Sequence, residues 1–130
     1  MVVDTSALVA ILTGEPERDL FIDALARADD PLISAGTLLE CSIVMAARSG
    51  AGGLVDLDDL LGAACVRVVA VDSEQVHVAR AAWQRFGRGR DPAGLNFGDL
   101  FGYALAITTG RPLLFKGDDF TRTEISPAAP

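Results

Sequence analysis

Apolar positions recur along this chain in two rhythms. Short aliphatic or β-branched runs at residues 1–3, 31–34, 66–71 and 112–116 are too brief for helices and read as buried strands. Between them lie longer stretches with helical spacing. Residues 7–12 begin a helix that Thr5 or Ser6 can cap, and the Gly-Glu-Pro at 14–16 breaks or kinks it. Residues 17–28 resume it, with Leu20, Ala24 and Ala28 on one stripe. Residues 35–48 form a helix expected to turn Leu39, Ile43, Ala46 and Ala47 inward. A glycine-rich turn at 49–53 leads to a helix over 54–65, with Leu54, Leu57, Leu60, Leu61 and Ala64 inward and Asp56, Asp58 and Asp59 outward. Asp72 or Ser73 caps a helix ending near Phe86, and 87–95 is a loop. Asn96 caps a last helix ending near Thr109, which Gly110 terminates. Residues 123–125 are a candidate edge strand.

Strand alternating with helix predicts an α/β fold of three layers, α/β/α, around a parallel sheet of four to five strands. Right-handed crossovers then put the functional edge at the carboxyl ends of the strands. Asp4 ends the first strand and residues 116–119 follow the last. Residues 96–99 open a helix whose N-terminus lies on that edge, and Glu40 sits in the second turn of the helix after the second strand.

Charge sharpens the picture. Asp4 is the only charge in residues 1–14, Glu40 in 31–47 and Asp99 in 95–110. Acids are almost never fully buried without a partner, and no Lys or Arg lies in these runs. Either partners arrive from elsewhere in the fold or the acids share a cation. Taken singly, each has an ordinary role: Asp4 as a helix cap, Asp99 as an N-terminal helix acid three residues after Asn96, Asp118 and Asp119 as a solvated turn. Glu40 has no charge partner at helical spacing. Carboxylates held together repel one another, and Mg²⁺ or Mn²⁺ relieves that repulsion. One or two such ions can activate a water and neutralise a phosphodiester as it is cleaved.

With 11 basic and 18 acidic residues the net charge is −7, which argues against a passive nucleic-acid binder. Residues 76–90 nevertheless hold four arginines (Arg80, Arg85, Arg88 and Arg90) and no acid. Arg85, Arg88, Arg90 and Lys116 are candidate phosphate contacts on a basic rim. Cys41 and Cys65 lack metal-ligand spacing and are expected to be buried, reduced thiols of a cytoplasmic protein. No signal peptide is expected, and the uncharged stretches are too short for a membrane span. The one histidine, His77, lies far in sequence from the acids, and neither a nucleophilic triad nor a phosphate-binding glycine loop is present.

Four segments resemble PIN-domain nucleases. Val2-Val3-Asp4-Thr5-Ser6-Ala7-Leu8 is similar to their opening motif, and Leu39-Glu40 to their second-helix glutamate. Leu95-Asn96-Phe97-Gly98-Asp99 with Tyr103-Ala104-Leu105-Ala106 resembles their third acidic motif, and Leu113 to Phe120 their last strand and loop. The order and spacing resemble the VapC toxins of type II toxin–antitoxin systems, over residues 1 to about 125. The resemblance implies a PIN domain at 1–126 with a short tail at 127–130. It implies a Mg²⁺- or Mn²⁺-dependent endoribonuclease that forms a homodimer and joins a larger complex with a VapB-like antitoxin. Asp4, Glu40 and Asp99 match the family's three acidic positions; of these, Asp4 and Asp99 are taken as the primary metal ligands. Glu40 and Asp118 complete the shell or orient the attacking water, with Asp119 the alternative to Asp118. Thr5, Ser6 and Asn96 are candidates to hold the carboxylates by hydrogen bonds. Two rival readings use the same residues: a phosphoryl-transfer or receiver-like domain with Asp4 as phosphoacceptor, and a catalytically silent PIN domain that only binds its partner.

Overall fold

In a computed structural model, residues 1–89 and 91–129 are described. The elements run β1 (Val2–Val3), α1 (Thr5–Leu12), α2 (Arg18–Ala26), β2 (Leu32–Ser34), α3 (Ala35–Ala63), β3 (Arg67–Val69), α4 (Ser73–Phe86), α5 (Phe97–Thr109) and β4 (Leu113–Leu114). The four strands form one parallel sheet in the order β3-β2-β1-β4. Successive strand residues point to opposite faces, and this builds the layers. Val3, Ile33 and Leu114 join α1, α2 and α3 in one core. Val2, Leu32 and Leu113 join α4 and α5 in another. The α/β/α architecture is the expected one.

The long α3 is two helices joined at Gly50, whose φ of 61° and ψ of −148° no helix interior adopts. The chain folds back there so closely that a β-carbon on Gly53 would meet the Met45 carbonyl. By length and composition alone α3 could cross a membrane; the reversal divides it into two pieces, each too short to span. Both pieces contribute to the first core, through Cys41 and Met45 and through Leu57 and Leu61.

Several inward faces differ from those expected. The first half of α3 packs through Thr37, Cys41 and Met45, an i, i+4 stripe of small or flexible side chains that lets the helix approach the sheet. Leu39 and Ile43 point outward, 64% and 62% exposed, and Ala47 is exposed as well. On α2, Phe21 and Leu25 are the buried stripe and Leu20 is exposed. Leu54 is also exposed, as is Cys65, which holds a positive φ of 52° at the end of α3. Residues 123–125 form no strand. The edge of β4 is instead covered by the C-terminal segment: Leu113 N–H donates to the Ser126 carbonyl at 2.9 Å, and Ala128 N–H to the Leu113 carbonyl at 2.8 Å. The expected tail at 127–130 thus begins against the sheet, with Pro127 bridged to Leu113.

At the opposite end of the strands Asp30 ties neighbouring segments together. Its carboxylate accepts from Arg67 at 3.0 and 2.8 Å and from Arg111 at 2.9 Å. Those two guanidinium groups hold its carboxyl down at about 2.

Candidate active site

Asp4 leaves β1 directly into α1, so its side chain is fixed by two elements at once. It caps α1: Ser6 N–H and Ser6 Oγ–H both donate to Asp4 Oδ2, at 2.9 and 2.6 Å. Ser6 Oγ in turn accepts the backbone N–H of Lys116, just beyond β4, at 3.0 Å. Asp4 is only 4% exposed. Burial raises its pKa, the Ser6 hydrogen bonds oppose that, and the Glu40 charge adds to the rise.

Asp99 belongs to the first turn of α5. Asn96 and Asp99 form a reciprocal capping box, with Asn96 N–H donating to Asp99 Oδ2 at 2.9 Å and Asp99 N–H to Asn96 Oδ1 at 3.0 Å. A helix N-terminal acid is ordinarily stabilised in its charged form. Here burial drives the carboxyl up to about 7, with the Asn96 N–H opposing and the charges of Asp4, Asp119 and Glu40 pushing in the same direction. The capping role is real, and it does not account for a carboxyl raised this far beside other acids.

Glu40 reaches the same place from α3. Its carboxylate lies over the bare backbone of Gly98, next to Asp99. One turn further along α5, Asp4 Oδ1 and Thr37 Oγ1 flank Gly102. The thiol of Cys41, beside Glu40, is pushed up to about 12, chiefly by burial, with the Asp4 and Glu40 charges adding. The three isolated acids of the sequence therefore share one field, joined by Asp119 from the loop after β4. Asp118 and Asp119 are both exposed, and the Asp118 carbonyl closes a turn by accepting Thr121 N–H at 3.0 Å.

Around these acids, Thr5 Oγ1 and Thr37 Oγ1 are buried hydroxyl oxygens without a hydrogen-bond partner. Such atoms cost free energy unless something satisfies them. Thr37 was not among the residues singled out from the sequence. Its position one turn before Glu40 (i, i+3) is the signal that could have found it.

The expected basic rim is only partly available. Lys116 forms ion pairs with Glu15 and, at 2.9 Å, with Glu17. Two acids from the α1–α2 corner therefore share its charge. Arg85 pairs with Glu124 at 3.3 Å and lies 4.6 Å from the centroid of the Phe86 ring. Arg88 is exposed, its backbone N–H donating to the Leu95 carbonyl at 2.8 Å. Arg90 lies outside the described residues.

The donor set suits a hard cation: carboxylate oxygens from four segments, mutually repelling, beside unsatisfied hydroxyls. Among the described residues no three acid, histidine or cysteine side chains lie close enough together to coordinate an ion as they stand.

The PIN domain family model matches residues 1–125. This chain is a member of the PIN-domain family, in its VapC branch. It is 51% identical over 128 residues to a Mycolicibacterium smegmatis protein named Ribonuclease VapC, covering 97% of this chain and 98% of that one. It is 47% identical over 129 residues to Ribonuclease VapC30 of Mycobacterium tuberculosis, covering 99% and 98%. The PIN fold recurs in the crystal structure of M. tuberculosis VapC20, described as a sarcin-ricin loop cleaving toxin, at a TM-score of 0.78 and 21% identity over 99% of this chain and 98% of that one. It recurs in the Rickettsia felis VapBC2 complex bound to a promoter DNA fragment, with a TM-score of 0.73 and 15% identity over 97% and 94%.

Proposed function

We propose that this VapC-family protein is the toxin of a type II toxin–antitoxin pair, a Mg²⁺- or Mn²⁺-dependent endoribonuclease that a VapB-like antitoxin neutralises. The observation that carries the reading is the convergence on α5: the Glu40 carboxylate lies over Gly98 beside Asp99, and Asp4 Oδ1 flanks Gly102 one turn on. Near-full-length relatives named as VapC ribonucleases support the same chemistry.

In this reading Asp4 and Asp99 hold the cation, and Glu40 and Asp119 complete its surroundings. For the fourth position Asp119 is preferred over its alternative Asp118, because the Asp119 charge adds to the rise at Asp99. When bound, a divalent ion supplies activation of a water and neutralisation of the scissile phosphodiester. The protein's own part is positioning. Ser6 fixes the Asp4 carboxylate, Asn96 fixes Asp99 through the capping box, and the buried hydroxyls of Thr5 and Thr37 stand ready for hydrogen bonds next to Asp4. Arg85, Arg88, Arg90 and Lys116 remain the candidates for the RNA backbone. The phosphoacceptor alternative is disfavoured, because Asp4 is buried with Oδ2 already engaged twice.

The outward apolar side chains Leu39, Ile43 and Phe97, the last 76% exposed, form the surface through which two copies would pair. The deciding experiment is incubation of the purified protein with end-labelled RNA and Mg²⁺. Cleavage that disappears in EDTA and in Asp4→Asn supports the reading; cleavage that persists in either overturns it.

A further inference from the structure

Two glycines one turn apart on α5, Gly98 and Gly102, lie directly beneath the acids. At Gly102 an added β-carbon would stand 3.4 Å from Asp4 Oδ1, 3.5 Å from Leu113 Cδ1 and 4.0 Å from Thr37 Oγ1, ordinary contacts. Gly98 is different. A β-carbon there would overlap the Glu40 carboxylate, colliding with Oε2 and Cδ and standing 2.9 Å from Oε1. All three of the nearest atoms it meets belong to Glu40. The clash is with the far end of a flexible side chain and not with backbone. Helix α5 could therefore accept a side chain at 98, while the glutamate could not stay where it is.

We infer that Gly98 is a positioning residue, whose missing side chain is the seat that brings the Glu40 carboxylate onto α5 beside Asp99. Nothing else about position 98 requires glycine: it is in the first turn of a helix, where alanine is intrinsically the better residue, and its φ is not among the positive ones. Glu40 has to cross from α3 to α5, and only a bare α-carbon leaves room for two carboxylate oxygens on that surface. The inference rests on the proposed metal site for its consequence, though not for its geometry.

Gly98→Ala, Glu40→Ala and the double variant test the geometry without metal. In EDTA, alanine at 98 should raise Tm more in the Glu40→Ala background than in the wild-type background, because only there is the collision gone. Equal shifts in the two backgrounds overturn the seat. Isothermal titration with Mg²⁺ tests the consequence. Gly98→Ala should weaken binding by about tenfold or more, and adding Glu40→Asp, which shortens the side chain, should recover part of the loss. Wild-type-like Mg²⁺ affinity in Gly98→Ala, or no recovery on adding Glu40→Asp, overturns the inference. If the wild-type protein binds no Mg²⁺, the nuclease reading fails, and the paired Tm shifts still decide whether Gly98 seats Glu40.

Discussion

The Ser6 hydroxyl donates to Asp4 Oδ2 at 2.6 Å, the shortest polar contact the buried acid makes. Because Ser6 Oγ also accepts Lys116 N–H at 3.0 Å, the end of β4 is linked through one hydroxyl to the acid at the end of β1. Two adjacent parallel strands thus fix one carboxylate, and its other oxygen, Oδ1, lies beside Gly102.

Ser6→Ala should therefore impair the site more than the fold. It removes one charge-assisted hydrogen bond and leaves the Lys116 N–H without its acceptor, a cost of about 1–3 kcal/mol. Metal affinity and RNA cleavage should fall by roughly 10–100-fold, as for other residues that orient a metal ligand. Calorimetric Mg²⁺ titration and single-turnover cleavage rates measure both. Ser6→Thr, which keeps the hydroxyl, should retain most of the activity.

The pH dependence has a definite sign. Asp99 has a folded pKa of about 7 and an ordinary unfolded one of about 3.9. Between those values the folded state binds more protons, so stability of the metal-free protein is greatest below about pH 4 for this group and falls as pH rises to about 7. The loss is roughly 2 kcal/mol once water at its partly open side is allowed for. The raised pKa of Asp4 acts in the same direction. Asp30 acts oppositely: its depressed carboxyl contributes stability above the ordinary carboxylate range, lost as pH falls toward 2. Urea denaturation in EDTA across pH 4–8 should show declining stability toward pH 8. Saturating Mg²⁺ should reverse the trend, because binding must displace the Asp99 proton and so strengthens with pH.

Much of this was legible in the chain. Parallel strands with covered faces followed from the alternation of short β-branched runs with helical stretches, and the solitary acids followed from charge spacing. The face of α3 did not. Hydrophobicity favoured Leu39 and Ile43 as inward, yet a helix that must approach the sheet closely uses its smaller stripe, Thr37 and Cys41, and leaves the bulkier residues outside. Pairing of Lys116 was equally hidden, since Glu15 and Glu17 are about a hundred residues away in sequence and become neighbours only when α1 turns at Gly14.

That outward stripe leads to the prediction for assembly. Leu39→Glu or Ile43→Glu replaces an exposed apolar side chain, so the monomer's fold loses little; surface changes of this kind usually stay within about 0.5 kcal/mol. At an apolar interface between two copies the same charge is strongly unfavourable. Sedimentation velocity should show the wild type as a dimer and each variant as a monomer with an unchanged far-UV circular dichroism spectrum. A monomeric wild type would remove this face as a self-association surface.

The fourth acid separates two adjacent residues. The Asp119 charge adds to the field that raises Asp99, while the Asp118 carbonyl accepts the N–H and the hydroxyl of Thr121. Asp119→Asn should lower the Asp99 pKa, because a like charge nearby is removed, and should cut cleavage by about a hundredfold, within the range typical of groups that orient a metal site. Asp118→Asn keeps the backbone turn and should reduce cleavage less than about tenfold on the same scale. Carbon-13 NMR titration of the Asp99 carboxyl in EDTA, beside cleavage rates in Mg²⁺, reads the two effects separately. A larger loss from Asp118→Asn with an unmoved Asp99 titration in Asp119→Asn would reassign the fourth corner to Asp118.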